Sequence, residues 1–173
     1  MATTPPTEVA IPDDQALWTQ SHRLGQKLLA GKLKLAVAES CTGGWIAKAL
    51  TDVPGSSEWF EAGLVTYSNA AKVALLGVSP ETLDVHGAVS EAVVLEMTAG
   101  ARRATGADAA IAVSGIAGPY GDTSDKPVGL VHLAWSLQDR DWSRSVQFSG
   151  DREAVRRQSV ELAITTLRDA LTD

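Results

Sequence analysis

A three-layer α/β/α single domain on a mixed, mostly parallel sheet that includes a C-terminal antiparallel hairpin is the fold class three features of the sequence predict. Apolar strand-like runs, Leu33 to Ala38 and Ala109 to Val113, are separated by stretches with helical periodicity, the alternation expected of β-α units. Each run breaks off into small, hydroxylated or glycine residues, Glu39-Ser40-Cys41-Thr42-Gly43-Gly44 and Ser114-Gly115-Ile116-Ala117-Gly118. Open α/β sheets bind ligands in such loops, beyond the carboxyl ends of their strands. Nearer the C-terminus, Val128 to Trp135 and Trp142 to Phe148 flank a polar turn at Gln138-Asp139-Arg140, which predicts an antiparallel pair.

Residues 1–13, rich in Pro and Thr, read as a flexible lead, and residues 14–173 as one domain. Asp13 or Asp14 caps a first helix that carries Leu17, His22 or Leu24, Leu28 and Leu29 on one stripe and ends at Gly31. The Leu33 to Ala38 strand, apolar throughout, is buried on both faces. A helix from Thr42 to Leu50 follows, directing Trp45, Ile46 and Ala49 to one side, and Pro54-Gly55 forces a turn. Gly63 to Tyr67 has β-rich character, and Ser68 or Asn69 caps the next helix, placing Lys72 in its first turns. Ser79-Pro80-Glu81 and Ser90-Glu91 start a short helix and a long one, separated by Gly87. Residues 119–127 form a mobile surface loop, and a helix from Asp151 to about Leu171 closes the chain.

With 173 residues, 45% hydrophobic and 21% charged, the chain has the composition of a folded globular protein. A net charge of −6 argues against retention on nucleic acid by a general basic field. No apolar run reaches the roughly 20 residues that span a bilayer, and the N-terminus lacks the pattern of a signal peptide. Cys41 is the single cysteine, so no internal disulfide can form and no zinc-ligand spacing exists; a cytoplasmic location is expected.

Ser40 can act as a nucleophile if a base takes its proton and backbone N–H groups at the following helix start receive an oxyanion. His22, His86 and His132 show no spacing that marks a Ser-His-Asp set, so a histidine base is one option. Lys72 is the better candidate, since partial desolvation at a helix start disfavours its charged form and makes it basic. Ser40 as an ordinary cap and Lys72 as a solvated helix residue remain the bland alternative. Cys41 is a rival nucleophile or a buried hydrophobe. Glu39 either orients Lys72 or a ribose, or is a dipole partner of the helix start. Gly115 and Gly118 either let backbone approach a phosphate or serve the turn, and Tyr67 either stacks on a planar ring or covers the core edge. Arg152 and Arg156 share a helix face and could hold a phosphate or a carboxylate, or form surface ion pairs.

Ala38-Glu39-Ser40-Cys41-Thr42-Gly43-Gly44, Pro54-Gly55-Ser56-Ser57 with Trp59-Phe60, Val65-Thr66-Tyr67-Ser68-Asn69 with Lys72, His86-Gly87-Ala88-Val89-Ser90, Ser114-Gly115-Ile116-Ala117-Gly118-Pro119, Lys126-Pro127-Val128-Gly129 and Phe148-Ser149-Gly150-Asp151-Arg152 together resemble the CinA C-terminal domain family. The resemblance covers about residues 15 to 170. It implies a nicotinamide-nucleotide amidase, hydrolysing the carboxamide of nicotinamide mononucleotide to nicotinate mononucleotide and ammonia in pyridine nucleotide recycling, without metal or organic cofactor. It further implies Ser40 and Lys72 as a catalytic pair. Tyr67 and the Ser114, Gly115 to Gly118 loop would line the pocket, N–H groups near Thr42 and Gly43 would hold the oxyanion, and Gly44 would belong to the same loop. Thr42, the Gly115 to Gly118 backbone, or Arg152 and Arg156 would take the phosphate. Longer family members resemble a fusion to a domain similar to molybdopterin-binding proteins, to which nothing in this sequence corresponds, so its roles in competence and nucleotide pyrophosphatase activity are not carried over. The short form looks like the stand-alone amidase, expected to form a homodimer or higher homo-oligomer with a small nucleotide as its substrate. The other classes the sequence leaves open are a non-catalytic, competence-associated nucleotide-binding module and an amidase for a related amide.

Overall fold

The computed structural model describes residues 10–171, so most of the expected lead lies outside the described residues. In chain order the elements are α1 (Asp14–Gly31), β1 (Leu35–Glu39), α2 (Trp45–Thr51), β2 (Phe60–Val65), α3 (Asn69–Leu76), α4 (Pro80–His86), α5 (Glu91–Thr105), β3 (Ala109–Gly115), β4 (Leu130–Leu137), β5 (Arg140–Gln147) and α6 (Arg152–Ala170). The five strands form one sheet in the order β2-β1-β3-β4-β5. Strand β1 pairs in parallel with β2 and β3, and β4 runs antiparallel to both β3 and β5. All strands but β4 therefore point the same way, which is the mixed, mostly parallel sheet the sequence predicts.

Period-two alternation decides what each face of the sheet can pack. On one face Leu35, Val37, Ile111, Val113, Leu133 and Trp135 meet the apolar sides of α1, α2 and α6. On the other, Ala36, Ala38, Ala110, Ala112 and Ala134 form a floor of methyl groups under α3, α4 and α5. The short side chains let α5 lie close to the strands, while the large ones hold the opposite layer away and fill the gap. One backbone contact ties the thin layer together: a Cβ on Gly100 of α5 would stand 2.0 Å from the Leu76 carbonyl oxygen at the end of α3. Only glycine allows that approach.

Helix starts follow the expected chemistry. Asp13, Ser68, Ser79, Ser90 and Asp151 each accept an N–H of the first turn. Boundaries differ in several places. Helix α1 includes Gly31, and Lys32 takes the left-handed cap (φ 53), with the Leu33 N–H closing back on the Leu28 carbonyl. Strand β2 begins at Phe60, right after a 3₁₀ turn at Ser56–Glu58, and stops at Val65, because Thr66 to Ser68 turn into the cap of α3. Ser114 and Gly115 belong to β3, not to the loop beyond it. Residues 119–127 have no helix or strand. No helix among the described residues is long and apolar enough to cross a membrane.

Candidate active site

The carboxyl ends of β1, β2 and β3 face a cleft of about 240 Å³, lined by Ser40, Cys41, Tyr67, the Gly115 to Gly118 backbone, Tyr120, Gly121 and Arg152. Ser40 directly follows β1, and the pairing of Glu39 with Val65 brings Thr66 up beside it, the Thr66 N–H bonded to the Glu39 carbonyl. Ser68 then caps α3 and directs Lys72, on the first turn, back over the strand ends. The Lys72 Nζ donates to Ser40 Oγ at 3.1 Å, to the Thr66 carbonyl at 2.8 Å and, at the limit of reach, to the Tyr67 carbonyl at 3.5 Å. These acceptors are uncharged, and Lys72 is 1% exposed. Burial accordingly pulls its pKa below the ordinary lysine range. A neutral amine here would spend its two N–H groups on the carbonyls and turn its lone pair toward the Ser40 hydroxyl.

Glu39 is fully buried and organises the loop after Ser40. Its carboxylate accepts from Thr42 Oγ1 at 2.6 Å and from the N–H groups of Gly44, Ile46 and Ala47 at 2.8–3.0 Å. Of the two roles open to it in the sequence, this is the helix-start role; no bond to Lys72 is formed among these contacts. The same contacts explain why α2 begins at Trp45 and not at Thr42: the chain must turn through Gly43 (φ 60) and Gly44 (φ 97) before its amides can reach the carboxylate. Gly43 N–H is used on the Ser40 carbonyl. Among the described residues, the Thr42 N–H has no backbone acceptor, whereas the Cys41 N–H turns toward its own thiol. Of the two N–H groups the sequence singles out as candidate oxyanion donors, Thr42 and Gly43, the Gly43 one is thus already bonded within the loop.

Cys41, six per cent exposed, has its thiol pushed up to about 12 by burial, with the Glu39 charge adding to the effect. A thiol so disfavoured as thiolate is a poor nucleophile at neutral pH. The histidines lie elsewhere: His22 stacks on Trp18, His132 bonds Ser145 on the far hairpin, and His86 ends α4. Ser114 is buried, its hydroxyl donating to the Ala88 carbonyl, so it fastens the end of β3 to the segment before α5. Arg152 and Arg156, one turn apart on α6, divide their work. Arg152 lines the cleft, donating to the Gly118 carbonyl at 2.7 Å and to the Tyr67 hydroxyl at 3.1 Å. Arg156 reaches the back of the loop after Ser40, donating to the Cys41 carbonyl at 3.1 Å and the Thr42 carbonyl at 2.9 Å. No group of three His, Cys, Asp or Glu among the described residues could hold a metal ion. Two contributors escaped the sequence reading: Thr66, which acts through its carbonyl, and Tyr120, a highly exposed aromatic on the cleft rim. A backbone role leaves no side-chain signal, whereas an aromatic directly after Gly118-Pro119 was a signal available to be read.

A profile of the CinA C-terminal domain matches residues 18–171. The chain belongs to that family. The Escherichia coli K12 protein named nicotinamide-nucleotide amidohydrolase PncC is 52% identical over 155 residues, covering 89% of this chain and 94% of that protein. A Pseudomonas putida protein of the same name is 54% identical over 149 residues, covering 86% and 93%. The crystal structure of the competence/damage inducible protein CihA from Agrobacterium tumefaciens superposes with a TM-score of 0.88 at 39% identity, covering 96% of this chain and all of that one. The matched span of this CinA C-terminal domain contains every residue of the cleft described above.

Proposed function

We propose that this chain is an amidohydrolase that converts nicotinamide mononucleotide to nicotinate mononucleotide and ammonia, with Ser40 as nucleophile and Lys72 as general base. The observation that carries the reading is the 3.1 Å contact between a buried lysine amine and a serine hydroxyl at the floor of a cleft. The relatives named nicotinamide-nucleotide amidohydrolase, at 52–54% identity, supply the substrate.

The steps balance without a cofactor. Neutral Lys72 takes the proton as Ser40 Oγ forms its bond to the carboxamide carbon, and the oxyanion is received by the Thr42 N–H. Lys72, now an ammonium, returns that proton to the nitrogen as the C–N bond breaks and ammonia departs. Water then attacks the Ser40 ester, gives a proton to Lys72, and the acid leaves as Ser40 recovers its hydrogen. Tyr67 and the Gly115 to Gly118 backbone border the space for the pyridine and ribose. Arg152, the cation on the cleft wall, takes the phosphate in a charge-assisted contact.

The test is ammonia release by purified protein from nicotinamide mononucleotide, its riboside and free nicotinamide. The mononucleotide should be turned over with the highest kcat/KM, because the phosphate contact contributes binding in the transition state. Saturable binding of the mononucleotide with no ammonia would overturn hydrolysis in favour of a nucleotide-binding module. Preference for the riboside would move the substrate to a related amide.

A further inference from the structure

We infer that Arg156 is a positioning residue for the reaction, a clamp that fixes the direction of the oxyanion-binding Thr42 amide from behind the nucleophile loop. The inference rests on Ser40 being the nucleophile. It departs from a phosphate role for this arginine.

The geometry begins on α6, whose residues lie more than a hundred positions from the loop they hold. Arg156 Nε and Nη2 donate to two successive carbonyls, those of Cys41 and Thr42. A guanidinium presents these donors as a rigid planar fork, so it sets both carbonyls at once, which a lysine amine on a flexible stem cannot do. The guanidinium is itself held, with its carbon 5.0 Å from the centre of the Trp45 ring on the first turn of α2. The loop, Arg156 and Trp45 thus form a closed unit behind Ser40.

A trans peptide is planar, so its carbonyl and its N–H point in opposite directions. Fixing the Cys41 carbonyl toward α6 consequently aims the Thr42 N–H away from α6, and fixing the Thr42 carbonyl aims the Gly43 N–H at the Ser40 carbonyl, where it is found. Glu39 holds the far end of the same loop through Gly44, Ile46 and Ala47. The Thr42 N–H is left with its direction imposed from both ends and no protein acceptor among the described residues. A preorganised donor of that kind needs no reorientation as charge develops on the substrate oxygen. Arg156 is absent from the lining of the cleft that holds Ser40, so its effect reaches the reaction through the loop.

The experiment compares wild type, Arg156→Lys and Arg156→Met by steady-state turnover of nicotinamide mononucleotide, by calorimetric binding of nicotinate mononucleotide, and by the rate at which a small phosphonofluoridate labels Ser40, followed by mass spectrometry. The clamp predicts that both variants lose about tenfold or more in kcat and in labelling rate, while KM and product affinity stay within about threefold. Lysine should rescue little, since charge without the fork does not set the two carbonyls. Unchanged kcat and labelling, or a raised KM and weakened product binding with kcat intact, would overturn the clamp, the second result returning Arg156 to the phosphate. Wild-type protein that labels at Ser40 but releases no ammonia would overturn the substrate and leave the clamp to be judged on the labelling ratio. Labelling at a residue other than Ser40 would overturn the nucleophile and the clamp with it.

Discussion

Ser40 and Cys41 are chain neighbours with opposite prospects as nucleophiles, and their surroundings explain the difference. The hydroxyl meets an amine, whereas the thiol is buried with a pKa near 12 and stands close to the Glu39 charge. Ser40→Ala should therefore lower kcat by about a thousandfold or more, and Cys41→Ala should leave it within about threefold while costing about 1 kcal/mol of packing. Ammonia release and urea denaturation of the two variants check this, and a dead Cys41→Ala with an active Ser40→Ala would reverse the assignment. Lys72 adds a pH argument. In the proposed role of base it acts as the amine, so kcat/KM should rise with pH and level off below the ordinary lysine range, the limb reporting the lowered pKa. Stability carries the same signature. Between the folded and unfolded pKa values the unfolded chain holds a proton that the folded chain has released, so this residue's contribution grows with pH through that window and is lost as pH falls through the folded value. Lys72→Met removes the buried ammonium. Its stability relative to wild type should accordingly be more favourable at about pH 6 than at about pH 10, with turnover down about a hundredfold or more. A stability difference that does not change with pH would mean that Lys72 is not held below its usual range.

The element on which this chemistry depends most is the short helix α2, because its first turn is fastened to a single buried carboxylate. Glu39→Gln keeps the volume but replaces one acceptor oxygen with an NH2 that must face a backbone N–H, so three amides and the Thr42 hydroxyl can no longer all be satisfied. The expected loss is about 1–3 kcal/mol, seen as a lower urea midpoint with an unchanged slope, together with a fall in kcat as the loop relaxes. Retention of both midpoint and kcat would mean that the loop is held by Arg156 alone. Elements of this kind show what the sequence could disclose. The alternation of Leu35, Ala36, Val37 and Ala38 and the caps at Ser68, Ser79, Ser90 and Asp151 are local signals, so strands, helix starts and the hairpin were legible. The loops at the strand ends are legible as a place for chemistry from small residues alone, and the pairing of Ser40 with Lys72 draws also on the family resemblance. The two ends of the Glu39 and Arg156 contacts could not be read. Glu39 needs the chain to fold back on itself through two left-handed glycines, and Arg156 meets carbonyls 114 and 115 residues away that carry no side-chain mark.

Across the whole molecule, the cleft joins the two helical layers. Lys72 arrives from α3 on the alanine face, Arg152 from α6 on the opposite face, and the strand ends between them carry Ser40 and the Gly115 to Gly118 backbone. A ligand that touches all of these links the two layers through the cleft as well as through the sheet. Ligand binding to the folded state alone stabilises it by mass action, by about 2.7 kcal/mol at a concentration of a hundred times Kd. For a domain of this size that corresponds to a rise in Tm of roughly 5–10 °C. Nicotinate mononucleotide should produce such a rise in wild type, and its riboside a much smaller one, if Arg152 is the group that receives the phosphate. Arg152→Ala should then abolish the difference between the two ligands, because what remains of the site reads only the ring and ribose they share. The basal Tm of the variant should change little, since the arginine is exposed and its partners, the Gly118 carbonyl and the Tyr67 hydroxyl, border the cleft and can turn to water. If the variant still distinguishes nucleotide from riboside by the full wild-type margin, the phosphate is held elsewhere. Arg156 is then the next cation to test, and the clamp assigned to it would have to answer for the same data.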